Sequence, residues 1–259
     1  MNSRHDHLIW RATHEFNPPV YLLGTMHLDS GLFPVLRERI QRLTDFVQLL
    51  ATEVDLNEMA ASVFPGHTVS IRARLRNRSY ERLRQQLWRF YRLEINTLDQ
   101  VPPIFIYQFL IERILPSTME RPIDHYVWDI AGNKGIERTG LETMERQFEL
   151  AGRLDLDWQI RSLLGIARSP RRFKRKIMDM VDSYREERLP ALYQASKKQL
   201  GPYRKLMLYD RNRAMFQSML TFIRDRPALI AVGAAHLWGA YGLIRLLKQD
   251  GYRVSPWRG

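Results

Sequence analysis

Two histidines stand three residues after a glycine: Gly24-Thr25-Met26-His27 near the start of the chain and Gly233-Ala234-Ala235-His236 near its end. The 14 glycines and 7 histidines of this 259-residue chain give about 0.4 such matches by chance, so the spacing alone is a weak signal. Its context is more informative. Each glycine closes a short apolar run, Val20 to Leu23 and Ala228 to Val232, so each histidine falls in the turn leaving a buried strand. Glycine lets the backbone turn sharply there or approach a ligand closely. An imidazole near a helix N-terminus stays neutral because the dipole disfavours the cation, and neutral imidazole binds a metal or accepts a proton. The competing account is that each histidine caps a turn or packs in the core.

Glu53 is the next candidate. It follows the mostly apolar run Phe46 to Ala51, and an acid at such a strand end is either a solvated turn residue or a site carboxylate, with Asp55 as the nearby competitor. Between the two runs, Pro34 suits the first turn of a helix, and Leu36, Ile40 and Leu43 recur at helical spacing. Strand, helix and strand form a right-handed unit with parallel strands. That topology sets His27 and Glu53 along the carboxyl edge of the sheet, where open α/β sheets bind ligands.

The rest of the chain supplies supporting elements. From about 57 to 134 the pattern is mostly helical, with Tyr80, Leu83, Leu87 and Tyr91 on one face of a helix otherwise rich in arginine. Ile136 to Leu141 reads as a short strand ending at Glu142, and helical spacing returns from Arg146 to Phe222. After Gly233 a helix is expected with Leu237, Tyr241, Ile244 and Leu247 on one face, stopped by Gly251. Tyr252 to Val254 would add a last strand, completing a second unit that parallels the first. The expected fold is therefore a helix-rich α/β domain over 1–259, with a mixed or mostly parallel central sheet and a helical insertion at about 57–134.

Several ordered segments carry a resemblance: Tyr21-Leu-Leu-Gly-Thr-Met-His27, Glu53-Val-Asp55, Gly140-Leu-Glu-Thr143, Arg211-Asn212 with Met215, and Val232-Gly-Ala-Ala-His236-Leu237. Over nearly its whole length the chain resembles the TraB/PrgY/GumN family, which is related to the TIKI metalloproteases and more distantly to the erythromycin-esterase and ChaN-like group. The family signature is two Gly-x-x-His motifs with a glutamate and an arginine. Carried onto this sequence, the resemblance implies His27, His236, Glu53 and Arg211 as catalytic residues. Glu142 would be an acid that orients a histidine or caps a helix. Asp124 and Tyr126, in Ile-Asp-His-Tyr, resemble a further family segment, although on a helix they would face solvent and core respectively. Asn212, beside Arg211, would support the site.

Two histidines and a carboxylate match the three protein ligands of an open catalytic metal site, with a remaining position for an acidified water. His27, His236 and Glu53 would then bind manganese, cobalt or zinc and hydrolyse a peptide or ester substrate. Arg211 would offer its fork of donors to a substrate carboxylate or a developing oxyanion, or form a surface salt bridge. A metal-free alternative makes one histidine the general base of an esterase. A non-enzymatic alternative is a regulator that sequesters a peptide, since family members have been associated with pheromone shutdown and plasmid transfer.

Bulk composition narrows these readings. The chain has no cysteine, which excludes disulfides, thiolate ligands and a thiol nucleophile. Its N-terminus, Met1 to Trp10, lacks the apolar core of a signal peptide, and no window approaches the roughly 18 apolar residues of a spanning helix, so a cytoplasmic protein is expected. The net charge is +12. Ser70 to Glu94 contains eight arginines against two glutamates, and Arg168 to Lys176 has six basic residues and no acid. Both segments could meet an anionic membrane surface or nucleic acid, or could be the solvated faces of packed helices.

Overall fold

A computed structural model of the chain describes residues 6–61, 70–115 and 117–259. The expected helical run from Asn57 includes 62–69, which lie outside the described residues. The chain divides into two compact units, one formed by 1–62, 117–144 and 180–259, the other by 63–116 and 145–179.

The first unit holds the sheet. Its strands are β1 (Ile9–Thr13), β2 (Val20–Thr25), β3 (Leu49–Thr52), β4 (Glu137–Gly140), β5 (Ala228–Gly233) and β6 (Arg253–Pro256), in the spatial order β4-β3-β5-β2-β1-β6. The four strands from β4 to β2 are mutually parallel, with Leu49 opposite both Glu137 and Ala228, and Gly24 opposite Val232. The expected helix-rich α/β fold is observed, with a mixed and mostly parallel sheet. Every residue of β2 and β3 is buried, as befits strands covered on both faces. Helix Pro34–Leu43 joins β2 to β3 and turns Leu36, Ile40 and Leu43 inward, as their spacing predicts.

Two local expectations need correction. The N-terminal polar segment gives way to β1, which pairs antiparallel with β2 across the Pro18-Pro19 turn region. The last strand is present as β6, paired antiparallel with β1 at the far edge, Arg11 opposite Ser255; because β1 itself runs antiparallel to β2, β6 runs in the direction of β5, as the expected second strand-helix-strand unit requires. The final helix also starts late, at Leu243: Gly239 adopts φ +94°, which breaks helical geometry, and Tyr241 is left exposed before the helix begins.

The second unit is helical. Helix Asn77–Tyr91 buries Tyr80, Leu83, Leu87 and Tyr91, the face expected from their spacing. It packs with helices Pro103–Ile114 and Leu156–Arg168. Gln159 is buried and accepts from the backbone N–H of Ile104 at 3.1 Å, satisfying a donor that the start of a helix leaves unpaired. No helix among the described residues is long and apolar enough to cross a membrane.

Candidate functional site

The parallel strands deliver their ends to one edge. Their order places Glu142, Glu53, His236 and His27 successively just past the carboxyl ends of β4, β3, β5 and β2. Backbone bonds continue the β3–β4 ladder beyond the strands, from Leu141 N to Thr52 O at 2.8 Å and from Glu142 N to Glu53 O at 2.9 Å. The two glutamates are thereby held side by side.

Arg211 lies between them. A π-helical turn, Lys205–Asp210, leads into helix Arg211–Leu220; such turns re-aim the residues that follow and recur at functional sites. Arg211 Nη2 donates to Glu53 Oε2 at 2.6 Å and to Glu142 Oε1, while Nε reaches Glu142 Oε1 at 3.1 Å. Burial penalises the Arg211 cation, but the two carboxylates more than offset this and raise its pKa above the ordinary value. Burial likewise works against the Glu53 carboxylate, yet the Arg211 charge and the Gly233 amide, donating to Oε1 at 2.8 Å, hold its pKa near 2.

His236 completes this network. Asn212 Nδ2 donates to Tyr241 O at 2.7 Å, which turns Oδ1 toward His236 Nδ1 at 2.5 Å. Nδ1 must therefore carry the proton, leaving the lone pair on Nε2. Nε2 lies 3.5 Å from Arg211 Nη1 and 3.7 Å from Glu53 Oε1. The imidazole is neutral, with its pKa lowered to about 4; burial is the largest cause, Glu53 opposes it and Arg211 adds to it. Neutrality was expected from a helix dipole, but desolvation is the stronger force here.

His27 is positioned by a different set of contacts. The loop after β2 is fastened to 117–123: Asp29 accepts from Thr118 N and Oγ1, both at 2.6 Å, and Ile123 N donates to Leu28 O at 3.0 Å. This seats His27 against the first turn of helix Ile123–Asn133, where Nδ1 meets Asp124 Oδ2 at 2.8 Å. Of the two readings of Asp124, site residue or solvent-facing helix residue, the second does not hold: its side chain is only 10% exposed, whereas that of His27 is 61% exposed. Burial would raise the Asp124 pKa, but His27 and His125 beside it hold it well below the usual carboxylate range. The result is an accessible imidazole oriented by a buried, ionised acid.

The glycines serve close approach. A Cβ on Gly24 would stand 3.1 Å from Ala234 Cα and Cβ, so the first turn makes room for the second. One on Gly233 would press on Glu53 Oε1, also at 3.1 Å. Tyr126 is buried with the Arg37 guanidinium over its ring at 4.5 Å.

Sequence reading missed Tyr184 and Asp29. The buried Tyr184 hydroxyl donates to Gly24 O at 2.8 Å and anchors the end of β2; nothing in the sequence marks it. Asp29 did carry a signal, because Asp-Ser-Gly suits a turn in which the carboxylate accepts from the amide two residues on, here Gly31 N at 2.9 Å.

The donor set does not suit a metal ion as it stands. Among the described residues no three histidine, aspartate or glutamate side chains are gathered to hold one. Both Glu53 oxygens already accept bonds, and the fixed Arg211 cation faces His236 Nε2, where a metal would meet like charge.

Fold and site together define a mixed α/β protein whose parallel strands converge on a network of histidine, arginine and paired carboxylates. The chain belongs to the TraB/PrgY/gumN family, whose profile matches residues 8–256. No curated protein matches the chain.

Proposed function

We propose that this protein is a hydrolase of peptide or ester bonds in which His27 is the general base. The observation that carries this reading is the His27–Asp124 pair. A carboxylate on Nδ1 fixes the tautomer and leaves Nε2 to take a proton from an attacking water. Asp124 would stabilise the imidazolium that forms, and His27 would return the proton to the leaving group. General-base assistance of this kind contributes roughly 10²–10⁴-fold.

The second cluster supplies the electrostatic half. Among the described residues Arg211 Nη1 is tied to no carboxylate and reaches only His236 Nε2, at 3.5 Å, so it is the least committed donor of the guanidinium. It is the group to face a developing oxyanion. Glu53, 26% exposed, borders the same edge. Three carboxylates against one guanidinium leave the site electronegative, which suits a substrate bearing an amino group near the scissile bond. A cytoplasmic setting is part of this proposal.

The test is hydrolysis of a panel of chromogenic esters and fluorogenic peptides by the wild type, His27→Gln and Asp124→Asn, each with chelator and with added manganese, cobalt or zinc. Chelator-resistant activity lost in His27→Gln is the expected result. Activity that needs a metal, with the metal lost in a folded His27→Ala, His236→Ala variant, would replace this reading with the metalloenzyme. A folded protein that binds peptides but cleaves none would make it a regulator.

A further inference from the structure

The charge of this protein is concentrated in its helical unit. Residues 63–116 and 145–179 contain 18 Arg and Lys against 9 Asp and Glu, so this unit carries +9 of the chain's +12. Within it, Arg78, Arg82, Gln85, Arg89 and Arg92 follow one another at steps of four and three, which sets them on a single stripe of helix Asn77–Tyr91 and its cap. All five are exposed, opposite the buried Tyr80, Leu83, Leu87 and Tyr91. The ion pairs of the unit use Arg74, Arg84, Arg146 and Arg161, leaving the four stripe arginines without an acidic partner among the described residues.

Two exposed aromatic rings flank the end of the stripe, one on each side of it. Trp88 is 50% exposed and Phe90 42%. Arg92, in the left-handed region at φ 53°, caps the helix and carries its guanidinium back over Trp88 at 5.9 Å; Arg89 lies over Phe90 at 5.4 Å. Arg113 Nη1 donates to Arg92 O at 3.3 Å, tying the end of helix Pro103–Ile114 to the same cap. Tyr91 meets Phe173 edge to face at 6.3 Å, which brings up the second basic run, with Arg172 and Lys174 exposed.

We propose that this face of the helical unit binds the surface of an anionic phospholipid bilayer. The arginines contact headgroup phosphates and carboxylates, while Trp88 and Phe90 enter the boundary between headgroups and acyl chains. A bilayer fits better than a nucleic acid for two reasons. Each exposed ring already carries a guanidinium on one face, which obstructs base stacking but suits the interface. The flanking rings would stay in water against a phosphate backbone, whereas a bilayer buries them.

Co-sedimentation with phosphatidylcholine vesicles, with and without phosphatidylserine, tests this for the intact chain. The wild type is expected to bind only the anionic vesicles, more weakly as salt rises. Arg82→Gln with Arg89→Gln should weaken binding about five-fold per charge. Trp88→Ser with Phe90→Ser should weaken it about ten-fold or more while retaining its salt dependence. These side chains are exposed, and unchanged thermal midpoints will confirm that the variants fold. The proposal is overturned if the wild type ignores anionic vesicles at low salt, or if both variants bind as the wild type does. It is also overturned if single-stranded oligonucleotides bind while vesicles do not, which would assign the face to nucleic acid.

Discussion

Glu53 and Arg211, 158 residues apart in the chain, meet at 2.6 Å on the carboxyl edge of the sheet, and the same guanidinium nitrogen also binds Glu142. One cation thus holds together the turns after β3 and β4. Removing it leaves two poorly hydrated carboxylates facing each other. Arg211→Met is expected to destabilise the fold by about 3–5 kcal/mol. Glu142→Gln should cost less, since the cation keeps Glu53 as a partner. Urea denaturation of both variants measures this, and equal losses would show that the cation does not organise the cluster.

The same network makes stability acid-sensitive. Glu53 titrates near 2 rather than 4.5, and His236 near 4 rather than 6.5. Both folded-state values are depressed, so the unfolded chain binds more protons between pH 6.5 and 2 and acid favours unfolding. The His236 contribution is complete above pH 6.5 and disappears as pH falls through 4; the Glu53 contribution is complete above 4.5 and disappears through 2. Between pH 7 and 4 the loss should be on the order of 3 kcal/mol, mostly from His236. Urea midpoints across that range check the slope, which His236→Gln should flatten. An unchanged slope in that variant would refute the assignment.

Much of the site edge was legible because it follows from connectivity. A glycine closing an apolar run marks β2 and β5, and the handedness of strand, helix and strand puts Glu53 and His27 on one edge. Other features were not legible because they depend on which buried group finds which partner. Asp124 stands in an amphipathic helix where its position does not reveal whether it meets solvent or His27. Its burial follows from the fastening of the loop at Asp29 to Thr118, contacts remote in sequence. Likewise β1 escaped notice because Arg11 and the polar neighbours of Ile9-Trp10 mask a five-residue strand whose partners lie on both sides.

Glycine substitutions separate close approach from chain entropy. Gly24→Ala places a methyl 3.1 Å from the Ala234 backbone, which must shift and carry His236 with it. A loss of about 1–3 kcal/mol is expected. Gly165 lies exposed within helix Leu156–Arg168 with nothing near an added Cβ, so Gly165→Ala should stabilise by about 0.5–1 kcal/mol. Thermal midpoints moving in opposite directions are the expected signature. A neutral Gly24→Ala would mean that the two Gly-x-x-His turns are not packed against each other.

The His27–Asp124 pair can be tested apart from any substrate. An ionised Asp124 accepts from Nδ1–H and so selects the tautomer whose Nε2 bears the lone pair. Asparagine is nearly isosteric but uncharged, and its amide can present a donor to Nδ1, shifting the proton to Nε2 and removing the base from the solvent side. Nitrogen chemical shifts of His27 in isotopically labelled protein should report Nδ1–H in the wild type and a shift toward Nε2–H in Asp124→Asn. If a hydrolysed substrate is found, the same variant should lower kcat about 10²-fold or more with little change in KM, because the positioning of a base matters in the transition state rather than in binding. A wild-type His27 that is protonated on Nε2 would sink the general-base role directly, since the exposed nitrogen would then have no lone pair to offer a water.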